Sequence, residues 1–358
     1  NKQFRGVCCA EKFLKGSAPM RMFPLGFFAF FAGLFLVSCG GTEDPVPTLE
    51  PAHVYPLDDE LRLHHVQVKG THNSYHQRPE TTIHPTHEYS HAPLDVQLET
   101  QNVRTFELDL HRFDDSFQVF HLALVDEVSS CSLFADCLSV IQTWSASKPD
   151  HLPIFVWMEM KSGMTDAPLE SLLMIEDEIQ AVIPPEQLLT PELVRGEYSS
   201  VREALDTVGW PTLGEVRGKV MFIILNNGEH TGPYTNDFTS LENRLLFPRA
   251  ASSQYSMPWA AVEKLSTGSA DGIAQTAGEG KMLVAANVCS AGDEDTACYA
   301  SLEAGLTNGL PMLKDDFPYP VAEREYWLEL PDGPVASCNP LTAPANCTGE
   351  ALEWKSTP

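Results

Sequence analysis

NVRTFELDLHRFDDSFQVFH, residues 102–121, alternates the apolar Phe106, Leu108 and Leu110 with the acidic Glu107 and Asp109. Side chains two apart on a strand project to the same face. A strand here therefore aims both carboxylates one way and packs its apolar side the other way. Like charges held close raise each other's pKa, and a bound cation is the commonest reason to keep them together. Upstream stands KGTHNSY (Lys69 to Tyr75), and downstream PIFVWMEMKS (Pro153 to Ser162). The three segments together supply His72, Asn73, Glu107, Asp109, His121 and Glu159. Two histidines, three carboxylates and one amide suit metal-assisted chemistry on a phosphodiester.

Working outward, the chain alternates strand and helix patterns. Strands are expected at Val66 to Lys69, Val103 to Leu110, Phe117 to Phe120, Ile154 to Met160, Lys219 to Leu225, Met282 to Val288 and Pro311 to Lys314. Ser132 to Ser147 sets Leu133, Leu138, Ile141 and Trp144 at helical spacing. Leu169 to Val182 reads as a helix stopped by Pro184 and Pro185, Ser199 or Ser200 caps VREALDTVG, and Ala300 to Leu306 is a further helix. His76 to Pro93 reads as a polar loop, and Tyr326 to Cys347 as a hairpin or loop closed by a disulfide. Alternation of this kind indicates a parallel β/α architecture. The candidate residues fall at the C-terminal ends of several strands, the expected layout of a (β/α)8 TIM-barrel active site. A doubly wound open sheet is the alternative, and no Gly-rich dinucleotide loop or P-loop favours it.

The formal net charge is −26, without a basic cluster, which argues against nucleic-acid binding and against electrostatic adsorption to an anionic membrane. Met20 to Val37 is an arginine followed by an apolar run, shorter than a comfortable membrane span. It leads into Ser38-Cys39, as in a bacterial lipoprotein signal, which implies cleavage before Cys39 and lipid on its thiol. Residues 1–38 are thus expected to be an upstream segment and signal peptide, with residues 1–19 preceding the plausible start at Met20. Residues 39–60 are read as a lipid-attached tether, 61–350 as the catalytic barrel and 351–358 as a tail. Beyond Cys39 six cysteines fall into close pairs: Cys131 with Cys137, Cys289 with Cys298, Cys338 with Cys347. That even number suggests three disulfides in an oxidising compartment. The expected location is outside the cytoplasm, anchored to a bacterial membrane.

Asn73, Glu107, Asp109 and Glu159 offer only oxygen atoms, which select Ca²⁺ or Mg²⁺ over zinc. A loose, carboxylate-rich site in an exported protein suits Ca²⁺. His72 and His121 are left for proton transfer and charge stabilisation, since imidazole titrates near neutrality. His121 is assigned as general acid, His72 as phosphate stabiliser, and Glu107 or Glu159 as base. Lys161, on the same face as Glu159, is available to bind phosphate or to neutralise the carboxylates. His84, His87 and His91 have zinc-like spacing but stand in a proline-bearing polar loop.

The ordered set His72-Asn73, Glu107 to Asp109, Val119 to His121 and Met158 to Lys161 resembles Ca²⁺-dependent phosphoinositide-specific phospholipase C of the bacterial secreted type. The likeness continues through SSCSLFADCLSVIQTWSASKPDHLPIFV (Ser129 to Val156) and returns at CNPLTAPANC (Cys338 to Cys347). It implies a TIM barrel, two catalytic histidines at His72 and His121, and Ca²⁺ on Asn73, Glu107, Asp109 and Glu159. It further implies attack of the inositol 2-hydroxyl on its own phosphate, releasing diacylglycerol and a cyclic inositol phosphate. Two segments depart from the pattern. AANVCSAGDEDT (Ala285 to Thr296) lacks the arginine run, and MLKDDFPYP (Met312 to Pro320) replaces Ser-Thr-Asp-Tyr-Pro. A glycerophosphodiester phosphodiesterase shares the barrel and Glu-x-Asp, but usually has His-Arg-Gly and His-Asp where this chain has His72-Asn73 and His121-Leu122. A lipid-tethered binding protein on the same barrel is the non-catalytic reading.

Overall fold

The computed structural model describes residues 53–353. The expected signal segment, Cys39 and the first part of the expected tether lie outside the described residues. Ten strands form one sheet: β1 Val66–Thr71, β2 Thr105–Phe113, β3 Ser116–Val119, β4 Ile154–Met160, β5 Val220–Ile224, β6 Phe247–Pro248, β7 Val262–Lys264, β8 Leu283–Cys289, β9 Met312–Asp315 and β10 Ala336–Cys338. Eight of them run in the order β6-β5-β4-β2-β1-β9-β8-β7, each neighbour pair parallel. A parallel bridge from Arg249 to Val262 joins the two ends, so the sheet closes into the expected barrel. β3 folds back antiparallel on β2, and β10 adds antiparallel to β1.

The alternation of β2 is honoured by its register. Glu107 stands opposite Trp157 and Asp109 opposite Glu159 on β4, so these four side chains share one face. Phe106, Leu108 and Leu110 are fully buried on the other. Burial on both faces is what a barrel imposes, and it explains the nearly unbroken apolar run of β4. Gly70 lets β1 approach β2 closely. A Cβ placed there meets Thr105 Cβ at 2.6 Å and the Thr105 carbonyl oxygen at 2.7 Å.

The helices Phe134–Ser147, Pro168–Val182 and Val201–Thr207 match expectation within two residues, and the Ser200 side chain accepts from Glu203 N–H as the cap. The helix expected over 300–306 begins earlier, at Asp295, and runs to Thr307. Asp295 is held there by the Arg324 guanidinium and by the Glu325 N–H at 2.9 Å. The sequence reading placed no element at β6, β7 or Ala270–Gly278, nor at the short helices Leu94–Glu99, Pro191–Arg195, Leu213–Val216, Thr231–Tyr234 and Gly349–Leu352. β6 and β7 are two and three residues long, too short for any periodicity, and Ala270–Gly278 is a helix of small residues. All three disulfides form as paired. Among the described residues no helix is long and apolar enough to cross a membrane.

Both ends of the described chain pack onto the barrel. Arg217 donates to both Asp58 oxygens at 2.6 and 2.7 Å and lies 3.5 Å over the Tyr55 ring, so the last residues of the expected tether are pinned. Leu352 is buried, and Glu353 receives the Arg104 guanidinium and the Leu152 N–H. Residues 351–353, expected in a tail, therefore pack with the fold. Burial opposes ionisation of Glu353, but Arg104 overrides it and holds the carboxyl below its usual range. A depressed folded pKa stabilises above the unfolded carboxylate value and loses that contribution as pH falls through the folded one. We expect Glu353→Ala to cost about 3–5 kcal/mol at neutral pH, because Arg104 is left buried and unpaired. Thermal melts followed by circular dichroism should show the gap from wild type closing on acidification. An equal gap at acid and neutral pH would refute the ion-pair account.

Candidate active site

The expected residues gather at the C-terminal rim of the barrel. Glu107, Asp109 and Glu159 each offer a carboxylate oxygen, and these lie within 4.8 Å of one another. Asn73 stands two residues after β1, is buried, and adopts φ +45°, a left-handed conformation that asparagine tolerates better than most residues. Its loop is locked to β2: Ser74 N–H donates to the Glu107 carbonyl oxygen and Glu107 N–H to Ser74 Oγ, both at 2.8 Å.

Lysines surround the carboxylates. Lys314 on β9 is fully buried and pairs with Glu107, and Lys264 stands 3.6 Å from the same oxygen. Lys161 lies 2.9 Å from Glu159 and 3.1 Å from Asp109. Of the two uses open to Lys161, neutralising carboxylates is the one seen here. The arginines on or beside β2 are engaged elsewhere: Arg104 pairs with Glu353 and Arg112 with Glu170.

The electrostatics differ sharply between two carboxylates on one strand. Burial opposes the charge of Glu107, but Lys314, Lys264 and His72 overcome it and hold the carboxyl well below its ordinary range. Asp109 is pushed up to about 7 by burial, with Glu159 and Glu107 adding repulsion that Lys161 only partly offsets. Burial likewise brings the Lys314 ammonium down to about 8 despite Glu107. Glu107 Oε1 is buried without a hydrogen-bond donor. An all-oxygen donor set, a crowded Asp109 and an orphaned Glu107 oxygen fit a hard dication such as Ca²⁺.

Each histidine is backed by an aspartate that the sequence reading missed. His72 Nδ1 is 2.9 Å from Asp316 Oδ1, and its Nε2 is 3.9 Å from Glu107 Oε1. Burial lowers the His72 pKa, but Asp316 and Glu107 more than reverse this and raise it overall. His121 Nδ1 is 2.9 Å from Asp126 Oδ2. There burial outweighs the aspartate, and the pKa is lowered. Both histidines are about one-quarter exposed at the side chain, whereas Asp126 and Asp316 are buried. The strand-end rule could have found Asp316, which follows β9 immediately. Asp126 carries no such signal.

The zinc-like trio disperses. His91 Nε2 meets the His72 carbonyl oxygen at 2.8 Å, His84 accepts from Thr86 N–H at its own turn, and only His87 approaches Asp126. Trp144 and Trp157 are core residues, with Trp144 Nε1 donating to Glu99. The segment Ala285 to Thr296 lacks arginine in sequence but receives one in space: Arg324 donates to the Asp293 and Ala291 carbonyl oxygens at 2.7 and 3.3 Å.

The family model for "Phosphoinositide phospholipase C, Ca2+-dependent" matches residues 61–116 and 113–340. Among solved structures, the chain is similar to a Ca²⁺-dependent phosphatidylinositol-specific phospholipase C from Streptomyces antibioticus, at 17% identity and TM-score 0.56, over 72% of this chain and 95% of that one. It is also similar to a calcium-dependent phosphoinositol-specific phospholipase C from a Gram-negative bacterium, Pseudomonas sp., at 16% identity and TM-score 0.54, over 75% and 94%. At these identities the structural likeness establishes the barrel fold. No curated protein matches the chain by sequence. The family match spans nearly the whole described barrel, including both histidines and every carboxylate of the rim, and the chain belongs to the Ca²⁺-dependent phosphoinositide phospholipase C family.

Proposed function

We propose that this enzyme cleaves phosphatidylinositol by intramolecular attack of the inositol 2-hydroxyl, using His72 and His121 beside a Ca²⁺ held by Asn73, Glu107, Asp109 and Glu159. The observation that carries the reading is the convergence of three carboxylate oxygens within 4.8 Å, flanked by two aspartate-backed histidines. When bound, Ca²⁺ neutralises the diester charge and lowers the pKa of the attacking hydroxyl. Glu107, whose Oε1 is buried without a donor and lies 3.9 Å from His72, takes the hydroxyl proton. The new O–P bond forms as the bond from phosphorus to the glycerol oxygen breaks. His121, with Nδ1 held by Asp126 at 2.9 Å, delivers its proton to that leaving oxygen. His72, held by Asp316 at 2.9 Å, stabilises the extra charge on the phosphorane. Lys161, now 2.9 Å from Glu159 and 3.1 Å from Asp109, would be available to the phosphate if Ca²⁺ neutralised those carboxylates. The products are diacylglycerol and a cyclic inositol phosphate.

³¹P NMR of phosphatidylinositol vesicles tests this directly, with Ca²⁺ and then with chelator. A cyclic inositol phosphate signal that needs Ca²⁺ supports the reading. Release from glycerophosphodiesters alone, with none from phosphatidylinositol, would move the assignment to the other phosphodiesterase class.

The loop after His121 supports work at a lipid surface. Leu122, Leu124, Val125 and Val128 are exposed beside the site, Leu124 at 95%, while Leu122 and Asp126 hydrogen-bond across the loop base. Burying one leucine in the bilayer contributes about 1.5–3 kcal/mol. Leu124→Asp is therefore expected to cut turnover on vesicles about tenfold or more while sparing a soluble inositol phosphodiester. Equal losses on both substrates would reject membrane contact by this loop.

We place the enzyme outside the cytoplasm, tethered through a lipid on Cys39, with residues 1–38 removed and the link ending where Tyr55 and Asp58 are pinned to Arg217. Three disulfides favour an oxidising compartment. Cys39→Ser should move the protein from the membrane fraction to the soluble one; unchanged partitioning would reject the anchor.

A further inference from the structure

Asp126 is the centre of a second cluster that the phosphodiester chemistry uses only in part. Its Oδ2 meets His121 Nδ1 and His76 Nε2 at 2.9 Å each and His87 Nδ1 at 3.5 Å. His87 comes from the short turn Pro85–His87 and is more than nine-tenths buried. Its Nδ1 points at the carboxylate yet makes no hydrogen bond. One ligand atom from each of His87, His121 and Asp126 lies within 4.8 Å of the other two. A tetrahedral ion with bonds of about 2.0–2.1 Å separates its ligands by roughly 3.3 Å. The observed spacings from Asp126 Oδ2 to the two nitrogens, 2.9 and 3.5 Å, bracket that value. His76 Nε2 lies 2.9 and 3.0 Å from the two Asp126 oxygens, a bond of the kind that orients a ligating carboxylate.

We propose that His87, His121 and Asp126 bind a first-row dication of the Zn²⁺ class, and that this ion switches the enzyme off by capturing His121. Two imidazole nitrogens and one carboxylate are a borderline donor set that selects such an ion over Ca²⁺. The all-oxygen trio of Glu107, Asp109 and Glu159 has the opposite preference, so the two ions bind independently. His121 is partly exposed and gives the ion a way in, leaving a fourth position for water. With Nδ1 on the metal, His121 carries its one proton on Nε2 and cannot return to the imidazolium form. The inhibition rests on the reading of His121 as general acid, whereas the binding does not.

The test is calorimetric titration of ZnCl₂ into the full chain in saturating CaCl₂, for wild type, His87→Gln and, as a control, the exposed His53→Ala. One Zn²⁺ per chain is expected. The affinity should fall about tenfold or more in His87→Gln and stay unchanged in His53→Ala. Equal affinity in wild type and His87→Gln, or Zn²⁺ displaced by added Ca²⁺, would overturn the site. Should His87→Gln fail to fold, the visible absorption of Co²⁺-loaded wild type decides: a strong tetrahedral band supports the site and a weak octahedral one overturns it. Phosphatidylinositol turnover in Ca²⁺ is then titrated with Zn²⁺. Loss of turnover in wild type at a concentration that spares His87→Gln is expected, and turnover unaffected by bound Zn²⁺ would overturn the switch. Binding without any turnover in zinc-free wild type would count against the enzymatic reading alone.

Discussion

His121→Ala should lower kcat on phosphatidylinositol by about 10²–10⁴ while leaving Ca²⁺ affinity intact. Expelling a diacylglycerol alkoxide without a proton is the costliest part of the reaction, and a positioned general acid contributes about that factor. The imidazoles that share Asp126 with His121, His76 and His87, are both more than nine-tenths buried. His76 is spent on Asp126 at 2.9 Å, and His72 on Asp316 at 2.9 Å. The diagnostic readout is a substrate with a leaving group of low pKa, such as an aryl inositol phosphodiester, which needs no proton. Activity of the variant on that substrate should recover most of the way to wild type. Equal losses on both substrates would reject the general-acid assignment and leave His121 an electrostatic role.

Asp109→Asn should abolish measurable turnover at ordinary Ca²⁺ concentrations and weaken Ca²⁺ binding about 100-fold. Groups that merely orient ligands cost 10–100-fold when removed, and Asp109 is proposed as a ligand itself. The same substitution should leave the metal-free protein at least as stable as wild type. Asp109 is fully buried, and burial together with Glu159 and Glu107 pushes its carboxyl up to about 7. A neutral amide of the same shape relieves that repulsion while Lys161 keeps Glu159 at 2.9 Å. Wild type should also gain about 2.7 kcal/mol of stability at a Ca²⁺ concentration 100 times Kd, a gain the variant forgoes. Melts in chelator and in Ca²⁺ measure both halves. A variant that melts lower than wild type in chelator, yet retains the Ca²⁺-induced shift, would show that Asp109 is a structural acid rather than a ligand.

What the sequence by itself determined was local. Glu107 and Asp109 share a face because strand side chains repeat every two residues. Ile154–Met160 was bounded correctly because an apolar run between Pro153 and a charged pair has one extended reading. The cysteines paired as spaced because nine residues or fewer separate each pair. The ordered set from His72 to Glu159 was legible because its members lie on or just after strands that are neighbours in one sheet: His72 and Asn73 after β1, Glu107 and Asp109 within β2, His121 after β3 and Glu159 near the end of β4. The tertiary structure alone decided the partners of those residues. Lys314 reaches Glu107 across 207 residues, Asp316 reaches His72 across 244, and Asp126 unites His76, His87 and His121. β6 and β7, which complete the barrel, carry no pattern of their own and exist because neighbouring strands offer them backbone hydrogen bonds. Periodicity is written by residues a few positions apart. Charge pairing is set by which strands become neighbours when the sheet closes, and that closure fixes how each carboxylate and imidazole holds its proton.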